Sequence, residues 1–229
     1  MFVKYEVILL DADGTLFDYD KAEANALEKT FNHFNLKYKE ECELKNYRAL
    51  NKQIWIAYEN DEISLEDLRI ERFRKLFQNN GEKIDLHEFS KIYLSLLAGG
   101  IYLISGAEEV CKYLFNKYKI VILTNGIREV QLSRIGNSPL NKYVNQVITS
   151  EETGYKKPDV RIFNYAFNKI GHANKKATII VGDSLSSDIQ GGINYGISAC
   201  WYNSTGEKNR TGLSPDYEIK DLRELLKLL

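Results

Sequence analysis

Five short, largely apolar runs, at 7–10, 120–123, 144–148, 178–181 and 197–201, punctuate a chain whose remaining apolar positions recur at helical spacing. Runs of this length without polar alternation mark strands buried on both faces of a parallel sheet. The segments between them read as helices. Ile162, Phe163, Ala166, Phe167 and Ile170, for example, fall on one helical face, with Pro158 just upstream in a helix-start context. Strands alternating with helices predict an α/β fold built on a doubly wound, mostly parallel sheet.

One block breaks the alternation. From 17 to about 98 no buried strand is visible, and four helical stripes follow one another. They are Leu27, Phe31 and Phe34; Leu44, Tyr47, Leu50, Ile54, Trp55 and Tyr58; Leu65, Leu68, Phe73, Leu76 and Phe77; and 89–96. Ser64 with Asp67, and Ser105 with Glu108, stand three apart before apolar runs, the capping-box spacing, which predicts helix starts at 65 and 106. The expected division is a core of 1–16 and 99–229 with an inserted all-helical cap of 17–98. An insertion leaving directly after the first strand is expected to rest over the carboxyl ends of the strands, where open α/β sheets bind ligands.

Composition narrows the classes. With 44% hydrophobic residues, 10 Phe, 15 Tyr and 2 Trp, the 229-residue chain has the bulk for a packed core and lacks the make-up of disordered or fibrous proteins. Thirty-one Lys+Arg balance 32 Asp+Glu. That leaves no long-range field to gather a nucleic acid polymer or a membrane, so any anion affinity is local. Cys42, Cys111 and Cys200 have neither disulfide-framework nor zinc-site spacing, and the run Val7–Leu10 is too short for a signal peptide or a span, so a cytoplasmic setting is expected. His33, His87 and His172 lie outside every motif below and read as structural.

The chemistry gathers where strands end. Asp11-Ala12-Asp13-Gly14-Thr15 follows the first run: Asp11 stands on a rigid strand end and Asp13 can reach the same cavity. An Asp-Gly turn that merely ends a strand is the plainer reading. Thr124-Asn125-Gly126 follows the second run, offering a hydroxyl and backbone N–H groups to a phosphate oxygen. Lys157 precedes a helix N-terminus, which already favours an anion, although a surface lysine would look the same. Gly182-Asp183 follows the fourth run and Asp188 lies five residues on, so that these carboxylates converge with Asp11 into an oxygen-rich nest for a hard divalent cation such as Mg2+.

In this order the segments resemble the four motifs of the haloacid dehalogenase superfamily, with a helical cap of the type inserted after the first. The resemblance spans the whole chain. It implies Asp11 as nucleophile, Asp13 as general acid and base, Thr124, Asn125 and Lys157 as phosphate binders, and Asp11, Asp13, Asp183 and Asp188 as metal residues. The superfamily's dehalogenases lack the second Asp, so its presence implies phosphate chemistry. Within the cap, Asn51, Trp55, Glu59, Ile63, Leu68, Arg72 and Phe73 are spaced as in a branch resembling pyrimidine 5′-nucleotidases, as is Ser150-Glu151-Glu152-Thr153-Gly154. Gly14 and the turn Asn60-Asp61-Glu62 depart from that branch. The implied substrate is a small phosphorylated metabolite, a nucleoside monophosphate, with Trp55 stacking on the base and Arg72 meeting a carbonyl or phosphate. Core packing for Trp55 and an ion pair for Arg72 remain the alternatives. A sugar-phosphate phosphatase or phosphomutase, and a noncatalytic phospho-ligand binder, are the competing functions.

Overall fold

The structure is a computed structural model that describes residues 5–78 and 83–229. The five apolar runs form the strands β1 (Val7–Leu10), β2 (Lys119–Thr124), β3 (Gln146–Thr149), β4 (Thr178–Gly182) and β5 (Ser198–Tyr202). A sixth strand, β6 (Tyr217–Ile219), was not legible as an apolar run, because it is three residues long, lies at the sheet edge and buries only Ile219 fully. Every neighbouring pair is parallel, in the order β3-β2-β1-β4-β5-β6. From the central β1 the chain moves outward to β2 and β3, then returns to β4 on the other side of β1. The order therefore reverses between β1 and β4, and the crevice beyond their carboxyl ends is where such sheets take ligands.

Strand periodicity assigns the core. Ile8, Leu10, Ile120, Ile122, Ile179 and Val181 face one side of the sheet and pack with Val110, Cys111 and Leu114 of the helix Ala107–Phe115. Val7, Leu9, Val121, Leu123 and Ile180 face the other and pack with Ile162, Phe163, Ala166 and Phe167 of the helix Val160–Ile170. The sheet is covered on both faces, as unbroken apolar strands require.

The chain divides into two compact units, Met1–Tyr19 with Ile101–Leu229, and Asp20–Gly100. Phe17, expected in the helical insert, belongs to the first unit: backbone bridges pair it with Asp13 and with Leu103, and its ring is fully buried. The second unit contains the helices Lys45–Glu59, Leu65–Phe77 and Leu86–Ala98 and most of Tyr19–His33. Phe31, Phe73, Phe77 and Phe89 pack together in it with ring centroids 5.0 to 5.7 Å apart, edge to face around Phe89 and tilted between Phe31 and Phe77. Ser64 and Asp67 form the expected capping box at Leu65. Ser105 and Glu108 do not. The helix at Ala107 starts instead from Gly106 in a left-handed conformation, and the Ser105 hydroxyl accepts a hydrogen bond from Arg223. No helix among the described residues is long and apolar enough to cross a membrane.

Candidate active site

The carboxyl ends of β1, β2 and β4 bring four motif segments together within the first unit. Register sets Leu10 beside both Ile122 and Val181, so Asp11 and Asp183 emerge on either side of the switch point. Asp11, Asp183 and Asp188 each offer a carboxylate oxygen, and those atoms lie within 4.8 Å of one another. Lys157, with 1% of its side chain exposed, donates from Nζ to Asp11 Oδ1, Asp188 Oδ1 and the Leu123 carbonyl, each at 2.6 Å. Its three N–H bonds are thus all directed by the protein.

Neighbouring residues fix these groups. The Thr15 hydroxyl donates to Asp183 Oδ1 at 2.9 Å, and the Trp201 indole donates to the Asp183 carbonyl at 2.9 Å. Asp188 Oδ2 accepts from the Ser184 N–H. Gly14 has φ of +79°, and a Cβ there would lie 2.5 Å from an Asp183 carboxylate oxygen, so this turn requires glycine on both counts. Thr124 Oγ1 accepts from the Gly126 N–H, which leaves its own proton to donate. Asn125, expected at the phosphate, has both ends of its amide on Lys157 instead: Oδ1 accepts from the Lys157 N–H and Nδ2 donates to the Lys157 carbonyl. Its side chain braces the lysine.

Asp13 is also placed differently from its expected place among the metal ligands. Its carboxylate stands outside the Asp11, Asp183 and Asp188 cluster, and its two oxygens accept from Gln131 Nε2 at 2.6 Å and Arg134 Nη2 at 2.5 Å. Neither partner was singled out from the sequence. Their only sequence signal is an i, i+3 spacing on the helix Arg128–Gly136, which any helix offers.

The charges favour a cation. When all three are ionised, these carboxylates against one ammonium leave two negative charges uncompensated in an all-oxygen donor set, with Asp11 and Asp188 buried and Asp183 on the exposed side, which suits a hard divalent ion. Burial raises Asp11 well above the ordinary carboxylate range against the opposing pull of Lys157, and desolvation of its carboxylate within the cluster, with the Asp188 charge, pushes Asp183 up to about 7. A folded-state pKa above the unfolded value means that the folded protein holds protons which the unfolded chain releases, so metal-free stability falls as pH rises from about 4 towards 7. We expect denaturant melts to show this slope, Asp183→Asn to reduce it, and Mg2+ to stabilise more at about pH 8 than at about pH 5. A flat profile without Mg2+ would contradict the clustering.

In the helical unit, Trp55 is half-buried, edge to face with Tyr58 at 5.8 Å between ring centroids. Arg72 is 1% exposed, its guanidinium 5.0 Å from the ring centroids of both Phe73 and Tyr93. The structure thus sets Arg72 within an aromatic core. Asn51 is buried and donates to Glu23, which also pairs with Arg48.

Residues 8–202 match the sequence profile of the haloacid dehalogenase-like hydrolases. The pyrimidine 5′-nucleotidase PynA of Streptococcus pneumoniae is 34% identical over 98% of this chain and 95% of its own length. The pyrimidine 5′-nucleotidase YjjG of Escherichia coli is 30% identical over 99% of both chains. The crystal structure of the HAD-hydrolase YfnB of Bacillus subtilis, bound to magnesium, superposes with a TM-score of 0.92 at 32% identity, covering 99% of each chain.

Proposed function

The chain belongs to the haloacid dehalogenase-like hydrolase family, and from that premise we propose that it is a Mg2+-dependent phosphatase that hydrolyses nucleoside 5′-monophosphates through a phosphoryl group carried on Asp11. The observation that carries the reading is Asp11 at the strand end, 2.6 Å from the buried Lys157 ammonium and within a carboxylate cluster two positive charges short of balance. The magnesium in the YfnB structure and the names of the two nucleotidases support the metal and the substrate class.

An Asp11 oxygen attacks phosphorus while the bond from phosphorus to the 5′-oxygen breaks, and Asp13 gives its proton to the departing alkoxide. Asp13 then takes a proton from water. The resulting hydroxide attacks phosphorus, the bond to Asp11 breaks, and inorganic phosphate leaves. Asp11, Asp183 and Asp188 would hold the Mg2+, which when bound would supply screening between the attacking carboxylate and the phosphate dianion. Lys157 neutralises the same approach, and the Thr124 hydroxyl, whose oxygen already accepts from Gly126, donates its proton to a phosphate oxygen. Phosphate release measured across nucleoside monophosphates and sugar phosphates tests this. Pyrimidine nucleotides should turn over fastest, and only with Mg2+. A sugar phosphate outpacing every nucleotide would overturn the substrate class, and no release from any substrate would overturn catalysis.

Base recognition falls to Trp55 in this reading, since Arg72 is occupied within the aromatic core. Trp55→Ala is expected to weaken nucleotide hydrolysis by about 1 to 3 kcal/mol in kcat/KM while a small aryl phosphate is much less affected. Parallel losses on both substrates with a lowered melting temperature would show packing instead.

A further inference from the structure

Asp13 lies on the loop after β1, where a short side chain with 25% exposure could adopt several orientations. Two donors remove that freedom, one on each carboxylate oxygen, and both come from one face of one helix. The helix follows directly from the β2 turn that carries Thr124. Gly126 in that turn has no side chain where a Cβ would lie 2.1 Å from Gln131 Nε2, so the Gln131 amide packs against the phosphate-side turn while it holds Asp13. Phosphate turn and acid brace are one continuous segment of chain.

Arg134 has no better explanation in packing. Its side chain is fully buried, with the guanidinium 5.3 Å from the centroid of the Phe17 ring, and Nε and Nη1 have no hydrogen-bond partner among the described residues. A methionine of similar volume would fill the same space without stranding donors, so a buried cation here gains its purpose from the one group it pairs with. We propose that Gln131 and Arg134 are positioning residues that fix the direction in which Asp13 presents its carboxylate to the leaving oxygen. This rests on the acid and base role given to Asp13 above.

The test compares Gln131→Leu, Arg134→Met and Asp13→Ala, singly and combined, on a pyrimidine nucleotide and on an activated aryl phosphate whose alkoxide departs with little protonation. Asp13→Ala should lower nucleotide turnover about 100-fold or more. Each positioning variant should lower nucleotide kcat about 10-fold or more with KM within about twofold, while first-turnover release of the aryl alcohol changes little. On the Asp13→Ala background the same substitutions should cost nothing further. Equal losses on both substrates, no loss, or losses that persist in full without Asp13 would overturn the proposal while leaving the Asp13 role intact. Asp13→Ala slowing both first-turnover reactions equally would remove the acid role itself. Gln131→Leu decides the matter alone if Arg134→Met fails to fold.

Discussion

Asp11→Asn is expected to leave less than about 1% of wild-type phosphate release in protein with a native melting profile. An amide nitrogen or oxygen is too weak a nucleophile for phosphorus, and the substitution also removes one of three carboxylates from the cation nest. The fold should survive. Lys157 keeps Asp188 and the Leu123 carbonyl as partners, and loss of a carboxylate relieves repulsion on Asp183 and Asp188. Metal-free melts of the variant should therefore match or exceed those of the wild type, while Mg2+ stabilises it less. Turnover above a few per cent of wild type would mean that Asp11 is not the attacking group.

Lys157→Met should damage both stability and rate. The ammonium is the cation paired with Asp11 and Asp188, and its removal strands buried carboxylates, a loss that typically costs about 3 to 5 kcal/mol. Unfolding of the metal-free variant should fall by about that amount, with Mg2+ restoring part of it by neutralising the same cluster. Nucleotide hydrolysis with saturating Mg2+ should still drop by about 100-fold or more, because the approach of the dianionic phosphate to Asp11 has lost a fixed positive charge. Inorganic phosphate should inhibit the variant more weakly than the wild type. Identical melting without metal, together with an unchanged phosphate inhibition constant, would count against the bridging role.

What could be read in advance followed from local chemistry. Four of the five apolar runs mark their strands to within a residue or so at each end because a doubly covered strand must be apolar at every position, whereas Gln146–Thr149 starts two residues late and Tyr217–Ile219, half-exposed at the edge, carries no such mark. The Ser64 box could be seen because its donors and acceptors lie three residues apart, while at Ser105 a distant partner, Arg223, changed the outcome. The acidic positions 11, 183 and 188 were legible as strand-end carboxylates. That Asn125 braces Lys157, that Thr15 and Trp201 hold Asp183, and that Gln131 and Arg134 hold Asp13 depends on contacts across 32 to 168 residues of chain or on a register between strands. Only the folded sheet supplies that information.

The most direct measurement follows a single turnover of an activated aryl phosphate by Asp13→Ala, with the aryl alcohol monitored optically and the protein quenched in acid for mass spectrometry. The leaving group departs without help, whereas water now lacks its base, so phosphoryl transfer to Asp11 should outrun its hydrolysis. A burst of alcohol close to the enzyme concentration, with a phosphoryl group on the peptide that contains Asp11, is the predicted result. Alcohol and phosphate released in step, with no burst and an unmodified Asp11 throughout the first turnover, would contradict it.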